Sequence, residues 1–148
     1  MKYIVALLCL STLYVFAKPE NEFWKHVYSK DRLVVIQDST TVTGIIQNIS
    51  AELDGDIHVR IKLDSQYTHM LIKNNYKHEN KCLIVEFICM NPSPHKACDG
   101  YDNNMGLPII GDYVEILGTY VLDKRHNITE IHPVYSWKVL RSILVDLK

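Results

Sequence analysis

Residues 111–134 read GDYVEILGTYVLDKRHNITEIHPV, two β-strands joined by a polar turn. Residues 113–123 alternate, with Val114 and Ile116 directed to one face and Tyr120 and Leu122 carrying that face onward past Gly118. A glycine inside a strand marks a bend or a close approach of backbones. Lys124, Arg125, His126 and Asn127 form the turn, and a last strand is expected over residues 129–140. Pro133 has no N–H to give to a ladder, so it belongs at an edge or a bulge.

Working outward, the same grammar repeats upstream. Residues 57–63 alternate without a fault: Ile57, Val59, Ile61 and Leu63 on one face, His58, Arg60 and Lys62 on the other. Asp54-Gly55-Asp56 supplies the preceding turn. Residues 83–88, LIVEFI, are apolar on both faces except for Glu86, as expected of a strand covered on both sides. Residues 33–37 are β-branched, and after Asp38-Ser39 the run resumes over residues 40–49 with Gly44 inside it, which predicts one long first strand coiled at the glycine. Residues 64–80 are polar and turn-rich around Met70-Leu71-Ile72, and residues 90–110 form a long proline-bearing loop. Five strands with bends at Gly44 and Gly118 predict an all-β protein, a small five-stranded OB-fold Greek-key barrel with a long loop or short helix between strands 3 and 4.

The domain plan has three parts. Residues 1–17 carry Lys2, an apolar run and a small-residue boundary ending at Ala17, the pattern of a secretory signal peptide, and the run is too short for a bilayer span. Residues 18–39 are a lead-in segment whose Phe23, Trp24, Val27 and Tyr28 are expected to pack onto the core, and residues 40–148 are the barrel. Without residues 1–17 the chain has 15 Lys and Arg against 17 Asp and Glu, a formal charge of −2. That balance argues against a protein built to hold phosphate backbones. Three cysteines remain, Cys82, Cys89 and Cys98, which in an oxidising compartment implies one bridge and one leftover thiol. Cys89 with Cys98 is favoured, because that pair closes a loop holding Pro92 and Pro94. Asn48 and Asn127 open N-glycosylation sequons.

Several segments taken together resemble a family of exported single-domain OB-fold proteins. They are Asp54 to His58 (a DGDxH turn), Asp64 through Leu71, Leu83 to Glu86 followed by Cys89, then Cys98, then the GDxVxVxGxY-like strand from Gly111 to Asp123, His126, and EIHPV from Glu130 to Val134. The similarity covers roughly residues 40 to 140. It implies the OB-fold and adds weight to the Cys89–Cys98 pairing, but implies no activity. The chain departs from the family at Cys82, which is extra, and at Asn127-Ile128, where glycine and an aromatic are usual.

For chemistry, Glu130 and His132 are two apart on a strand and so leave the same face. With His58 and His126 they make a candidate divalent-metal set, set against a structural role in satisfying the backbone beside Pro133. Cys89, His95 and Cys98 have zinc-type donors at a spacing that matches no compact zinc knuckle. Asp54, Asp56 and Arg60 are the residues that a thermonuclease-like hydrolase would need, but the downstream arginine motif is absent. The reading that follows is a secreted, disulfide-stapled binding module without catalytic activity and with no cofactor expected. Its contact surface carries His58, Arg60 and Lys62, and a protein, a glycan or a small anionic ligand would be its partner. Nucleic acid enters by fold analogy only, and a divalent-metal protein is the alternative.

Overall fold

The computed structural model describes residues 20–142. The segment read as a signal peptide, and the ends of the lead-in and of the barrel, lie outside the described residues. Five strands form a closed barrel: β1 (Leu33–Ala51), β2 (Ile57–Leu63), β3 (Leu83–Phe87), β4 (Tyr113–Asp123) and β5 (Ile128–Arg141), hydrogen-bonded around the ring in the order β1-β2-β3-β5-β4. All neighbours are antiparallel except β3 and β5, which run parallel through Ile84↔Glu130 and Val85↔Ile131. This is the OB-fold order expected from the sequence. β1 begins ahead of residue 40, so residues 33–39 of the lead-in already belong to the sheet and pair with the far end of β4.

The two glycine bends have a common cause. At Gly44, β1 passes from β4 to β2, pairing with both Val114 and Leu63, and a Cβ there would overlap the Lys62 carbonyl. At Gly118, a Cβ would overlap both the Ile131 side chain and the Pro133 carbonyl. Between the pairs Gly118↔Val134 and Tyr120↔Ile131, β5 carries one residue more than β4. Pro133 falls in this bulge, where its missing N–H costs no ladder bond, and its peptide bond to His132 is cis.

The barrel is filled by the alternating positions read from the sequence. Val42, Ile46, Val59, Ile61, Leu83, Val85, Phe87, Val114, Ile116 and Ile131 are fully buried in one cluster. Tyr120 continues the inner face of β4, packing on that cluster and donating its hydroxyl to the Met70 carbonyl at 2.7 Å. On the outer face, Val121 is also buried, in a second cluster with Val27, Leu33, Ile88 and Cys89. Phe23 and Trp24 of α1 (Glu20–Lys25) pack against it, so the lead-in segment covers part of the barrel wall.

Between β2 and β3, the short helix α2 (Lys73–His78) is anchored by Asn75, which is fully buried. Its Nδ2 donates to the Thr129 carbonyl at 2.8 Å and its Oδ1 accepts from the Thr129 N–H at 3.0 Å, so one amide ties α2 to β5. The β3–β4 connection is a long loop with a single 3-10 turn, Lys96–Cys98, and Cys89 and Cys98 are joined in a disulfide. Among the described residues Cys82 is the free cysteine, and it is buried.

Gly118→Ala is expected to destabilise the chain by roughly 3 kcal/mol or more, since backbone and a packed Ile must both move. At Gly106, which has φ 71° with open space around it, alanine should cost only about 1 kcal/mol. Urea denaturation of the two variants checks the contrast.

Candidate functional site

Against the outer face of the β2–β3–β5 wall, five ionisable side chains meet. Glu86 lies on β3, Glu130 and His132 on β5, Asp56 immediately before β2, and His58 on β2. The parallel β3–β5 pairing places Ile84 opposite Glu130, and this register brings Glu86 beside the β5 pair. Glu86, Glu130, His132 and Asp56 are at most 2% exposed, whereas the His58 side chain is 24% exposed.

Each contact is directional. His58 Nε2 lies 2.9 Å from Glu86 Oε1, and its Nδ1 lies 3.6 Å from Glu52 Oε1. His132 Nδ1 is hydrogen-bonded to Glu130 Oε1 at 3.1 Å. Glu86 Oε2 is equally near that nitrogen, at 3.1 Å, but without hydrogen-bond geometry. Asp56 Oδ1 accepts the Cys89 backbone N–H at 2.7 Å. Of the buried side-chain atoms left with no hydrogen-bond partner among the described residues, three belong to this cluster: Asp56 Oδ2, Glu86 Oε2 and His132 Nε2.

The electrostatics follow from burying acids beside imidazoles. Burial alone would lower the two histidines. For His132, the charge on Glu86 and the bond to Glu130 outweigh it and raise the pKa to about 10. For His58, the hydrogen bond to Glu86 and that residue's charge raise it to about 9. Burial opposes ionisation of Glu86, but the charge on His132 and its other imidazole contacts hold it well below the ordinary carboxylate range. Burial and the neighbouring Glu86 charge push Glu130 up. Asp56 is raised to about 7 by burial, against the pull of the Cys89 N–H.

Outside this cluster lies a cleft of about 330 Å³, walled by the β1–β2 loop (Glu52, Leu53, Asp54), the β4–β5 turn (Arg125, His126) and His58. Tyr28 and His95 stack in its wall with ring centroids 3.6 Å apart. The turn is organised by Asp123, fully buried, which accepts Arg32 Nη1 at 2.8 Å, His126 Nδ1 at 2.7 Å and the Arg125 N–H at 2.7 Å. The Arg125 guanidinium has no ion pair among the described residues.

The residues read from the sequence are thus divided. His58, Glu130 and His132 belong to one network with Glu86 as its hub, while His126 is held by Asp123 on the cleft rim. Arg60 and Lys62 leave the same face of β2 as His58 but line a separate cleft of about 440 Å³ with Lys81 and Cys82. There Arg60 is pinned by Glu79 at 2.8 Å and by Asn48 at 3.0 Å. Asp54 lines the first cleft whereas Asp56 turns inward, so the two acids of the DGD turn do different work. Cys89 and Cys98 approach Asp56 closely enough to suggest a metal set, but their sulfurs are joined to each other and are not thiolate ligands. Asn48 and Asn127 are both exposed. Glu86 and Asp56 were not singled out for the metal set, and the only sequence signal for Glu86 was one charge in an otherwise apolar strand.

No family model matches the chain, and no curated protein matches it. Among the described residues no helix is long and apolar enough to cross a membrane. Side-chain groups able to hold a metal ion are present, namely Asp56 with Glu86 and His132.

Removing the imidazole of His132 strands two buried carboxylates, so His132→Ala should cost about 3–5 kcal/mol. His126→Ala, whose side chain is 52% exposed, should cost less than about 1 kcal/mol. Equilibrium unfolding of both variants measures the difference. A second test uses pH. His58 faces Glu86 on β3, Glu52 on the loop and Glu130 on β5. Its stabilisation is complete below its ordinary 6.5 and is lost as pH rises through about 9. In buffer containing a chelator, the stability gap between the wild-type chain and His58→Gln should shrink by on the order of 3 kcal/mol over that window. Parallel stability curves would sink this assignment.

Proposed function

We propose that the chain is a secreted, disulfide-stapled OB-fold binding module without catalytic activity, related to the exported OB-fold proteins it resembles. The observation that carries the reading is the cleft between the β1–β2 loop and the β4–β5 turn, which is where barrels of this topology take their ligands. Its ligand is a small anion, with an acidic saccharide as the class that uses both walls. Arg125 offers donors to a carboxylate, Glu52 and Asp54 accept from hydroxyls, and the stacked Tyr28–His95 pair gives a flat edge for a sugar ring.

Three observations favour binding over the other classes. Both ring nitrogens of His58 face carboxylates, which leaves no free nitrogen there to act as a general base. The formal charge of −2 without residues 1–17 and the absence of a stacking platform on the outward face of β2 speak against single-stranded nucleic acid. The hydrolase set is also dispersed, because Asp56 is buried and Arg60 is engaged by Glu79. The disulfide and the absence of a long apolar helix among the described residues are compatible with an extracellular protein.

Titration calorimetry with a glucuronate-containing disaccharide and its neutral glucose counterpart tests the reading. The acidic sugar should bind preferentially, and Arg125→Ala should weaken it at least about tenfold, while Lys62→Ala leaves it unchanged. Loss of binding in Lys62→Ala but not in Arg125→Ala would move the surface to the Arg60–Lys62 cleft. Equal affinity for the neutral sugar, or no binding of either, would overturn the reading.

A further inference from the structure

The buried cluster on the β2–β3–β5 wall has more donor atoms than the protein uses. Asp56 lies just before β2, Glu86 on β3 and His132 on β5, and each has one atom engaged and a second without a hydrogen-bond partner, Glu86 Oε2 lying 3.1 Å from His132 Nδ1 but out of hydrogen-bond geometry. Asp56 spends Oδ1 on the Cys89 N–H, Glu86 spends Oε1 on His58, and His132 spends Nδ1 on Glu130. Asp56 Oδ2, Glu86 Oε2 and His132 Nε2 have no hydrogen-bond partner although the three residues are 0–2% exposed. Unpartnered polar atoms at that depth are expensive. A nitrogen or oxygen from each of the three residues lies within 4.8 Å of the other two.

We propose that Asp56, Glu86 and His132 hold one divalent cation of the zinc class, buried against the outer face of the barrel wall, a site distinct from the cleft and independent of the cleft's ligand. Charge supports it, because a dication is neutralised by the two carboxylates with the imidazole neutral. Donor chemistry supports it too: one imidazole with two carboxylates suits zinc, whereas calcium takes about 6–8 oxygens. The surroundings of His132 are those of a metal ligand, since a ligating imidazole characteristically gives its second ring N–H to a carboxylate, here Glu130. In this arrangement Glu130 is a positioning residue and His58 orients Glu86 from the cleft side. Bound metal would clamp the entrance to β2, the middle of β3 and the bulged part of β5 at one point. Its role is therefore structural.

The test uses the full chain with its disulfide intact. Elemental analysis after purification without chelator should find about one zinc per chain. Dialysis against EDTA should lower the Tm, and zinc at about 100 times its Kd should restore roughly 10 °C, with calcium giving no recovery. Asp56→Asn should abolish stoichiometric zinc. Glu130→Gln, which keeps every ligand, should weaken affinity about 10–100-fold, and His126→Ala should retain full stoichiometry. If Asp56→Asn fails to fold, the wild-type chelation arm and Glu130→Gln still decide. The proposal is overturned by wild-type protein that takes up no zinc and melts identically with and without EDTA, by zinc retained at full stoichiometry in Asp56→Asn, or by zinc lost in His126→Ala.

Discussion

The carboxylate of Glu86, buried between the imidazoles of His58 and His132, is the contact on which the β2–β3–β5 wall of this barrel turns. A lone carboxylate at that depth would favour unfolding or protonation. The two imidazoles reverse the preference, and they do so because the parallel seam of β3 and β5 presents Glu86 to the β5 pair while the antiparallel seam pairs it with His58 of β2. The charges can compensate one another only in this strand order. A register slip of one residue on β3 would send Glu86 inward among Leu83, Val85 and Phe87 and turn those three apolar side chains outward in its place, so the cluster acts as a register lock.

The same hub connects interior and surface. His58 has one ring nitrogen against the buried acid and forms part of the cleft wall. Across the cleft, Asp123 does for the β4–β5 turn what Glu86 does for the β2–β3–β5 wall. It is a buried acid that gathers Arg32, His126 and turn N–H groups, and it fixes the lead-in segment to the rim where Arg125 is displayed.

Much of the fold was legible in the sequence because strand alternation and glycine placement are local signals. Ile57 to Leu63 could be assigned a buried and an exposed face from period alone. Gly118 and Pro133 could be paired as a bend and a bulge because each breaks a rule that ordinary strands obey. The pairing of Cys89 with Cys98 was legible from the loop it closes. Glu86 was not readable as a hub, since its meaning depends on which strand lies beside β3, and period says nothing about neighbours. Asp56 looks like a turn residue, and its inward direction follows from the Cys89 N–H that donates to it, 33 residues further on. His126 was grouped with His132 because they are close in the chain, yet the turn points it toward Asp123. The helix α2 escaped notice because six residues are too few to show a helical stripe; it is held by the side-chain amide of Asn75.

The layout of the outer strands has a mechanical consequence. β1 and β5 flank β4 on either side and both run antiparallel to it, with Leu33 at the Asp123 end of β4 and Arg141 at its Tyr113 end. Tension applied between the start of β1 and the end of β5 therefore runs lengthwise along two seams that share a central strand. Their hydrogen bonds are loaded together in shear, and the barrel resists extension along that axis far better than peeling from either side.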